Sequence, residues 1–260
     1  MNTVGILATV SWIAAAAAYT AGRRARLAAD ALMVVGTLLG ALVIVALWSS
    51  LDRPPLRTLG ETRWWYAVLT PALGLVIGWR YNTRALAAPA CLLGALFALI
   101  NLKHPEYMDR TLMPALQSPW FVPHVVVYMV AYAALGLSSI IGILVLANAR
   151  AGRKSVQPSD VDLPHKLVMV GFPLLTCGLL FGAFWAKAAW GHYWTWDPKE
   201  TWAFLTWSVY LIYLHVHNRH QMRPALQLSL LGLGFVALLV CWFGVNYLPS
   251  ARQSVHTYTQ

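Results

Sequence analysis

The sequence predicts an all-α, polytopic membrane protein of about eight transmembrane helices, with its N- and C-termini on the outer face. Three observations predict it. The chain is 59% hydrophobic and only 11% charged over 260 residues, whereas soluble chains carry about 25% charged residues. The charges fall in short clusters separated by long charge-free runs, and a spanning helix needs roughly 17–25 apolar residues. The clusters also alternate: one set is compact and basic, the other holds most of the acids.

The run 1–22 is the first helix. It lacks a basic leading segment and ends in Gly22-Arg23-Arg24-Ala25-Arg26, a stop-transfer flank, so it reads as a retained helix rather than a signal peptide. Residues 31–51 form the second. Residues 64–79 are short for a span, but Trp64, Trp79 and Arg80 at the ends anchor or snorkel at the interfaces. Residues 85–102 make the fourth. The run 111–149 contains Pro114, Pro119 and Pro123, so its first part is a loop and the helix starts near His124. Residues 167–186, 201–218 and 224–251 complete the set. No sustained repeat or soluble segment interrupts them, so 1–260 reads as one integral membrane domain.

Basic residues orient the spans. With the N-terminus outside, eleven of the nineteen Lys and Arg, among them Arg23, Arg24, Arg80, Arg150, Lys166 and Arg223, face the cytoplasm, while six of the nine acids lie outside. The net charge of +10 is then explained by cations beside an anionic inner leaflet, and no nucleic acid partner is required. Cys91, Cys177 and Cys241 lie inside apolar runs without Cys-X-X-Cys spacing and read as small hydrophobes.

The most informative segment joins the sixth and seventh helices on the outer side: Trp190-Gly191-His192-Tyr193-Trp194-Thr195-Trp196-Asp197-Pro198-Lys199-Glu200. Six of the thirteen Trp fall between Trp185 and Trp207. Trp12, Trp48, Trp64, Trp65 and Trp79 read as interfacial anchors. Trp190, Trp194 and Trp196 cluster in a loop that Gly191 bends, and they read as a platform for a large flat apolar ligand, spanning residues 188–198. Asp197 at the cap, Pro198 at the first helical position and Glu200 three residues after the cap form a helix-start signature.

Histidines suggest that the flat ligand is haem. His124 begins the fifth helix and His256 lies in the tail after the eighth, both on the side of the Trp loop. Haem iron takes one or two axial imidazoles. His192 sits in the platform as a reserve candidate. His215 lies 17 residues beyond Pro198, about 25 Å deeper at 1.5 Å per residue, near the inner edge of the bilayer core. An ionisable side chain at that depth reads as functional. His217 points about 200° away around the same helix, so a second inner ligand is expected from another subunit. His217 and His220 read as part of the basic inner cap.

The Trp loop resembles the tryptophan-rich WWD signature of haem-handling proteins in cytochrome c maturation. Its continuation Pro198-Lys199-Glu200-Thr201-Trp202 is similar to the CcsA/ResC branch. Tyr213-Leu214-His215, Gly244-Val245-Asn246 and His256-Thr257-Tyr258 match that branch in order and approximate spacing, and the resemblance covers roughly residues 50–260. Where the family commonly has Arg, this chain has His217.

The resemblance implies an eight-helix membrane protein in the plasma (cytoplasmic) membrane, working with a CcsB/ResB-type membrane subunit. The implied activity is holocytochrome c synthesis: haem b is presented on the outer, periplasmic or extracytoplasmic face, and the two thiols of an apocytochrome c Cys-X-X-Cys-His motif add to its vinyl groups. No nucleophile of this chain is needed, and thiol-reducing proteins contribute indirectly. His124 and His256 match the external haem ligands, His215 the transmembrane one, and Trp190, Gly191, Trp194, Trp196, Asp197 and Trp202 the haem-binding surface. A CcmC-like haem delivery or export protein is the alternative. It shares the Trp loop and two outer histidines but has fewer helices and a different sequence after the Asp.

Overall fold

The computed structural model describes residues 2–105, 116, 118–219 and 223–249. Among these the secondary structure is helical throughout, with eight α-helices: α1 (Asn2–Thr20), α2 (Arg26–Leu51), α3 (Leu59–Arg80), α4 (Ala87–Lys103), α5 (Phe121–Arg150), α6 (Asp162–Trp190), α7 (Pro198–Asn218) and α8 (Pro224–Trp242). The expected all-α architecture is what forms. The reason is the solvent: backbone N–H and C=O groups in a bilayer core find no water, and a helix satisfies them within one segment. Five helices are long and apolar enough to cross a membrane: α1, α2, α5, α6 and α8.

The helix ends differ from the charge-free runs in instructive ways. α6 extends past its run at both ends, so that Lys166 and Lys187 lie on the helix, since a lysine stem crosses apolar surface while its ammonium stays in water. α5 begins at Phe121 and takes Pro123 into its first turn, where the missing N–H costs nothing. α8 ends at Trp242 and passes into a short 3-10 turn, Gly244–Tyr247.

α3 begins at Leu59, five residues before its charge-free run, because a polar cap starts it. Thr58 Oγ1 accepts from the Glu61 backbone N–H at 3.1 Å, while Glu61 Oε2 accepts from the backbone N–H groups of Arg57 at 2.7 Å and Thr58 at 3.3 Å. The Arg53 guanidinium donates to both Glu61 oxygens at 3.0 and 2.9 Å. Trp65 Nε1 donates to the Pro55 carbonyl at 2.9 Å, tying the Pro54-Pro55 loop down onto the helix. This gives a structural role to the segment 54–63.

The chain divides into two compact units, Met1–Leu112 and Met113–Gln260. In the first, α1 packs on α2 and α4, and α3 on α2 and α4. Trp12 corrects an expectation: it is fully buried rather than an interfacial anchor. It sits mid-helix, and Gly36 and Gly40 on α2 leave its slot, a Cβ at either position falling 2.8–2.9 Å from the indole. Trp64 is likewise buried, whereas Trp48 and Trp79 are exposed as anchors should be. In the second unit, α5 packs on α6 and α8, and α7 on α6 and α8. Ser138 Oγ donates to the Pro164 carbonyl of α6 and Ser139 Oγ to the Leu231 carbonyl of α8, each at 2.8 Å. Trp207 Nε1 of α7 donates to Thr176 Oγ1 of α6 at 2.9 Å.

The α3 cap makes an ordered prediction. Removing the carboxylate by Glu61→Ala leaves the nearly buried Arg53 guanidinium with only the Pro54 carbonyl and strips two backbone donors of their acceptor, a loss of about 3–5 kcal/mol. Thr58→Ala removes one cap bond, about 1 kcal/mol. Thermal unfolding of the purified protein in detergent should show Glu61→Ala well below Thr58→Ala, and Thr58→Ala slightly below the parent. Equal midpoints for the two variants would contradict the role given to Glu61.

Candidate haem-binding site at the Trp loop

Residues 191–197 leave α6 through Gly191, which adopts φ +86°, and enter α7 through the expected capping box. Asp197 Oδ1 accepts from the Lys199 backbone N–H at 2.9 Å. Glu200 does more than the reciprocal cap. Its Oε2 accepts from the Asp197 backbone N–H at 3.2 Å, the Thr195 backbone N–H at 2.7 Å and Thr195 Oγ1 at 3.3 Å. Both carboxylates are buried and lie at the positive end of the helix dipole. One carboxylate therefore sets the path of the chain on both sides of Trp196.

Trp196 adopts φ +59°, a left-handed conformation uncommon for a bulky residue, and its side chain is 63% exposed. An exposed indole gains little from burial, so the strain is held in place by the hydrogen bonds on either side of it. Trp196 meets Trp194 edge to face at 5.7 Å and Phe204 at 5.8 Å, and Phe204 stacks on Trp207 at 6.0 Å. Trp190 packs edge-on against the buried Trp185 at 4.9 Å. The half-buried Trp202 faces none of these rings at a described ring contact. Tyr193 and His192 are exposed.

His124 is brought to this aromatic cluster. Its ring lies 5.5 Å from Trp185 and 4.6 Å from Tyr128. Its Nδ1 lies 2.9 Å from the Gly178 carbonyl of α6. A carbonyl only accepts, so Nδ1 carries the proton and Nε2 carries the lone pair. An imidazole fixed this way, one nitrogen donating to a carbonyl and the other basic, has the arrangement of a metal-ligating histidine and its orienting partner. Space for the ring comes from Gly182, one turn beyond Gly178. A Cβ at 182 would lie 2.8 Å from His124 Cε1 and 2.9 Å from Nδ1. Neither glycine is recognisable as a site residue in sequence, because only the α5–α6 packing aligns them with His124.

Among the described residues, Trp194 Nε1 and Asn246 Oδ1 near this end of the unit are buried without a hydrogen-bond partner. A buried indole N–H usually finds an acceptor, and an unmatched buried donor costs about 1–3 kcal/mol. The α8 end approaches the loop through Cys241, whose Sγ lies 3.7 Å from the Lys199 carbonyl. Cys91, Cys177 and Cys241 are all free thiols, the first and last buried. His256 lies outside the described residues.

At the opposite end of the unit, His215 is exposed on the last turns of α7. His217 is half-buried and stacks face to face on His165, with centroids 3.6 Å apart and planes 16° from parallel. Its Nδ1 lies 2.8 Å from Gln227 Oε1, and His165 Nδ1 lies 3.4 Å from the Tyr213 hydroxyl. His217 is thus a packed residue and more than part of a solvated cap, and His165 is a partner that sequence reasoning missed. The available signal was position: His165 opens α6 at the same end at which α7 closes. In-plane lone pairs of parallel rings run side by side and do not converge. Among the described residues no three His, Cys, Asp or Glu side chains are grouped to hold a metal ion.

The fold is that of a helical protein with several membrane-spanning helices, carrying at one end of its second unit a strained aromatic loop with an oriented imidazole beside it. The comparisons name the family. The chain matches the cytochrome C assembly protein family over residues 1–251, and it belongs to that family, which places it in cytochrome c biogenesis. Relatives include the cytochrome c biogenesis protein CcsA of Chlamydomonas reinhardtii, 34% identical over 241 residues, covering 87% of this chain and 67% of the relative. That of Prochlorococcus marinus subsp. pastoris is 35% identical over 244 residues, 80% of this chain and 76% of the relative. That of Solanum lycopersicum is 30% identical over 254 residues, 83% and 81% respectively.

Gly182 yields a test of the His124 placement. Gly182→Val adds three carbons where 2.8 Å is available, so the imidazole must move away from the Gly178 carbonyl. Gly232→Val, on a helix face whose nearest neighbour is 3.8 Å away, is the control. Haem titration followed by Soret absorbance should show weakened binding for Gly182→Val and near-parent binding for Gly232→Val. Equal affinities for the two would detach Gly182 from the site.

Proposed function

We propose that this chain holds haem b at the Trp loop and, with a CcsB/ResB-type membrane subunit, presents it to apocytochrome c for covalent attachment. The observation that carries this reading is His124. Its Nδ1–H is committed to the Gly178 carbonyl, which leaves a basic Nε2 on a ring packed against Trp185, the residue that contacts Trp190. An axial imidazole beside an aromatic shelf suits a metalloporphyrin. Trp190, Trp194 and Trp196 supply the apolar surface, Gly191 the bend, and Asp197 with Glu200 the fixed height of the loop. Trp202 lies one turn further along α7. The buried Trp194 N–H suits a carboxylate acceptor such as a haem propionate.

His256 is the second external ligand in this reading. The chemistry needs no nucleophile from the chain: each cysteine S–H of the apocytochrome adds across a vinyl C=C, the sulfur bonding to one carbon and the proton to the other. Holding the porphyrin in one pose supplies the proximity that the two thiols require. Replacement of one external imidazole by the histidine of the Cys-X-X-Cys-His motif then favours release. His215, exposed at the other end of α7, serves as an inner ligand whose counterpart comes from the partner subunit. The basic loops assign that end to the cytoplasm and the Trp loop to the outer face of the plasma membrane. Thiol-reducing proteins keep the apocytochrome cysteines reactive.

A CcmC-like delivery protein without synthase activity is the second reading. The eight helices and Pro198-Lys199-Glu200 after the Asp favour the synthase.

Two experiments test these assignments. His124→Gly and His256→Gly should each abolish cytochrome c assembly in cells and alter the haem spectrum of the purified protein, with partial recovery on added imidazole. Full assembly in either variant would remove that residue from the ligand pair. Trp194→Phe keeps the apolar face but deletes the N–H. It should weaken haem binding about tenfold, the size of one charge-assisted hydrogen bond, and leave binding of haem dimethyl ester unchanged. A parallel loss for both porphyrins would show that Trp194 acts through stacking alone.

A further inference from the structure

At the end of the second unit opposite the Trp loop, a cleft of about 480 Å³ opens between the last turn of α5 and the first turns of α8. We propose that it binds the headgroup of an anionic phospholipid, with an acyl chain following the α5–α8 seam. The proposal does not depend on the haem reading.

The charge comes first. Arg150 is the last residue of α5 and Arg223 the residue that precedes α8, and both line the cleft. Both are exposed, and among the described residues neither forms an ion pair with a carboxylate. The acid in the α5–α6 connection, Asp160, is committed to Lys154 at 2.9 Å. Two guanidiniums facing one cleft repel each other unless an anion lies between them. A phosphodiester fits, because a guanidinium presents a planar fork of donors to paired oxygens. Arg223 gives α8 no side-chain cap, and Pro224 occupies the first helical position, so the positive end of that helix also opens here.

Apolar surface excludes a purely hydrophilic occupant. Leu146, Val156 and Leu226 form the walls, and the Ser229 hydroxyl is bonded within its own helix to the Ala225 carbonyl at 2.8 Å. Deeper along the seam, Gly232 carries no side chain, and a Cβ there would have Ile143 Cγ1 as its nearest neighbour at 3.8 Å. Ile143 and its neighbour Leu144, and Leu233 next to Gly232, are exposed. A cationic mouth at the level of the helix ends, continued by an apolar furrow toward mid-helix, matches a lipid lying along a spanning helix. Basic pockets between transmembrane helices take anionic headgroups in this manner.

The full chain, purified in neutral detergent, is tested by native mass spectrometry with phosphatidylglycerol and phosphatidylcholine of identical acyl chains. The parent should retain phosphatidylglycerol in preference. The Arg150→Gln/Arg223→Gln double variant should lose that preference by about tenfold or more, with helicity by circular dichroism unchanged. Gly232→Leu fills the furrow but keeps both charges, and it should reduce phosphatidylglycerol retention while leaving any binding of inorganic phosphate intact. Equal retention of the two lipids by the parent, or an unchanged preference in the double variant, would overturn the proposal. So would full displacement of the lipid by excess inorganic phosphate combined with no effect of Gly232→Leu, since the site would then be one for a free anion.

Discussion

The site in the second unit depends on the buried carboxylate of Glu200. It closes the α7 start by accepting the Asp197 backbone N–H, and it holds the preceding loop by accepting both the backbone N–H and the hydroxyl of Thr195. Those three bonds, with the Thr201 hydroxyl donating to the Trp196 carbonyl at 3.1 Å, keep Trp196 at φ +59° with most of its indole in the open. Asp197 shares the work through the Lys199 N–H. Because charge-assisted bonds in a water-poor setting are strong and costly to leave unmade, the loop has one conformation to offer a ligand. In the proposed reading the shelf is pre-formed, and haem would be spared the ordering of three tryptophans on binding.

The same device recurs in the first unit with a different purpose. At the start of α3, Glu61 accepts from the Arg57 and Thr58 backbone groups and from both arms of Arg53. There it fixes a connection rather than a site. In both places the acid sits three residues after the cap, the loop before it is rich in residues that resist helix formation, and the carboxylate reaches back over the turn. Helix ends in a membrane protein need such closure because the first N–H groups have no intrahelical partner and little water to substitute.

Glycine on α6 performs the complementary task of letting α5 approach. The Gly178 carbonyl receives the His124 ring nitrogen, and Gly182 vacates the volume that the ring occupies. A larger residue at 182 would hold the two helices apart, so the tautomer of His124 is decided by a helix–helix distance. That coupling joins packing in the core of the unit to the imidazole beside the Trp loop.

Sequence by itself determined the number and type of the helices, since apolar run length and charge spacing are local properties that the bilayer enforces segment by segment. It also determined the α7 cap, because Asp197-Pro198-Lys199-Glu200 needs only its own backbone to form. His124, Trp190 and Trp196 were legible as candidates from residue type and loop position. Tertiary structure decided the rest. Trp12 looked like an interfacial anchor until Gly36 and Gly40 of another helix gave it a buried slot. His165 carried only a positional signal, opening α6 at the end where α7 closes, until the packing of the two helices set it against His217. Gly178 and Gly182 met the His124 ring only when α5 packed across them. Each of these depends on which side chains two helices bring within a few ångströms, a relation between distant positions that no single segment contains.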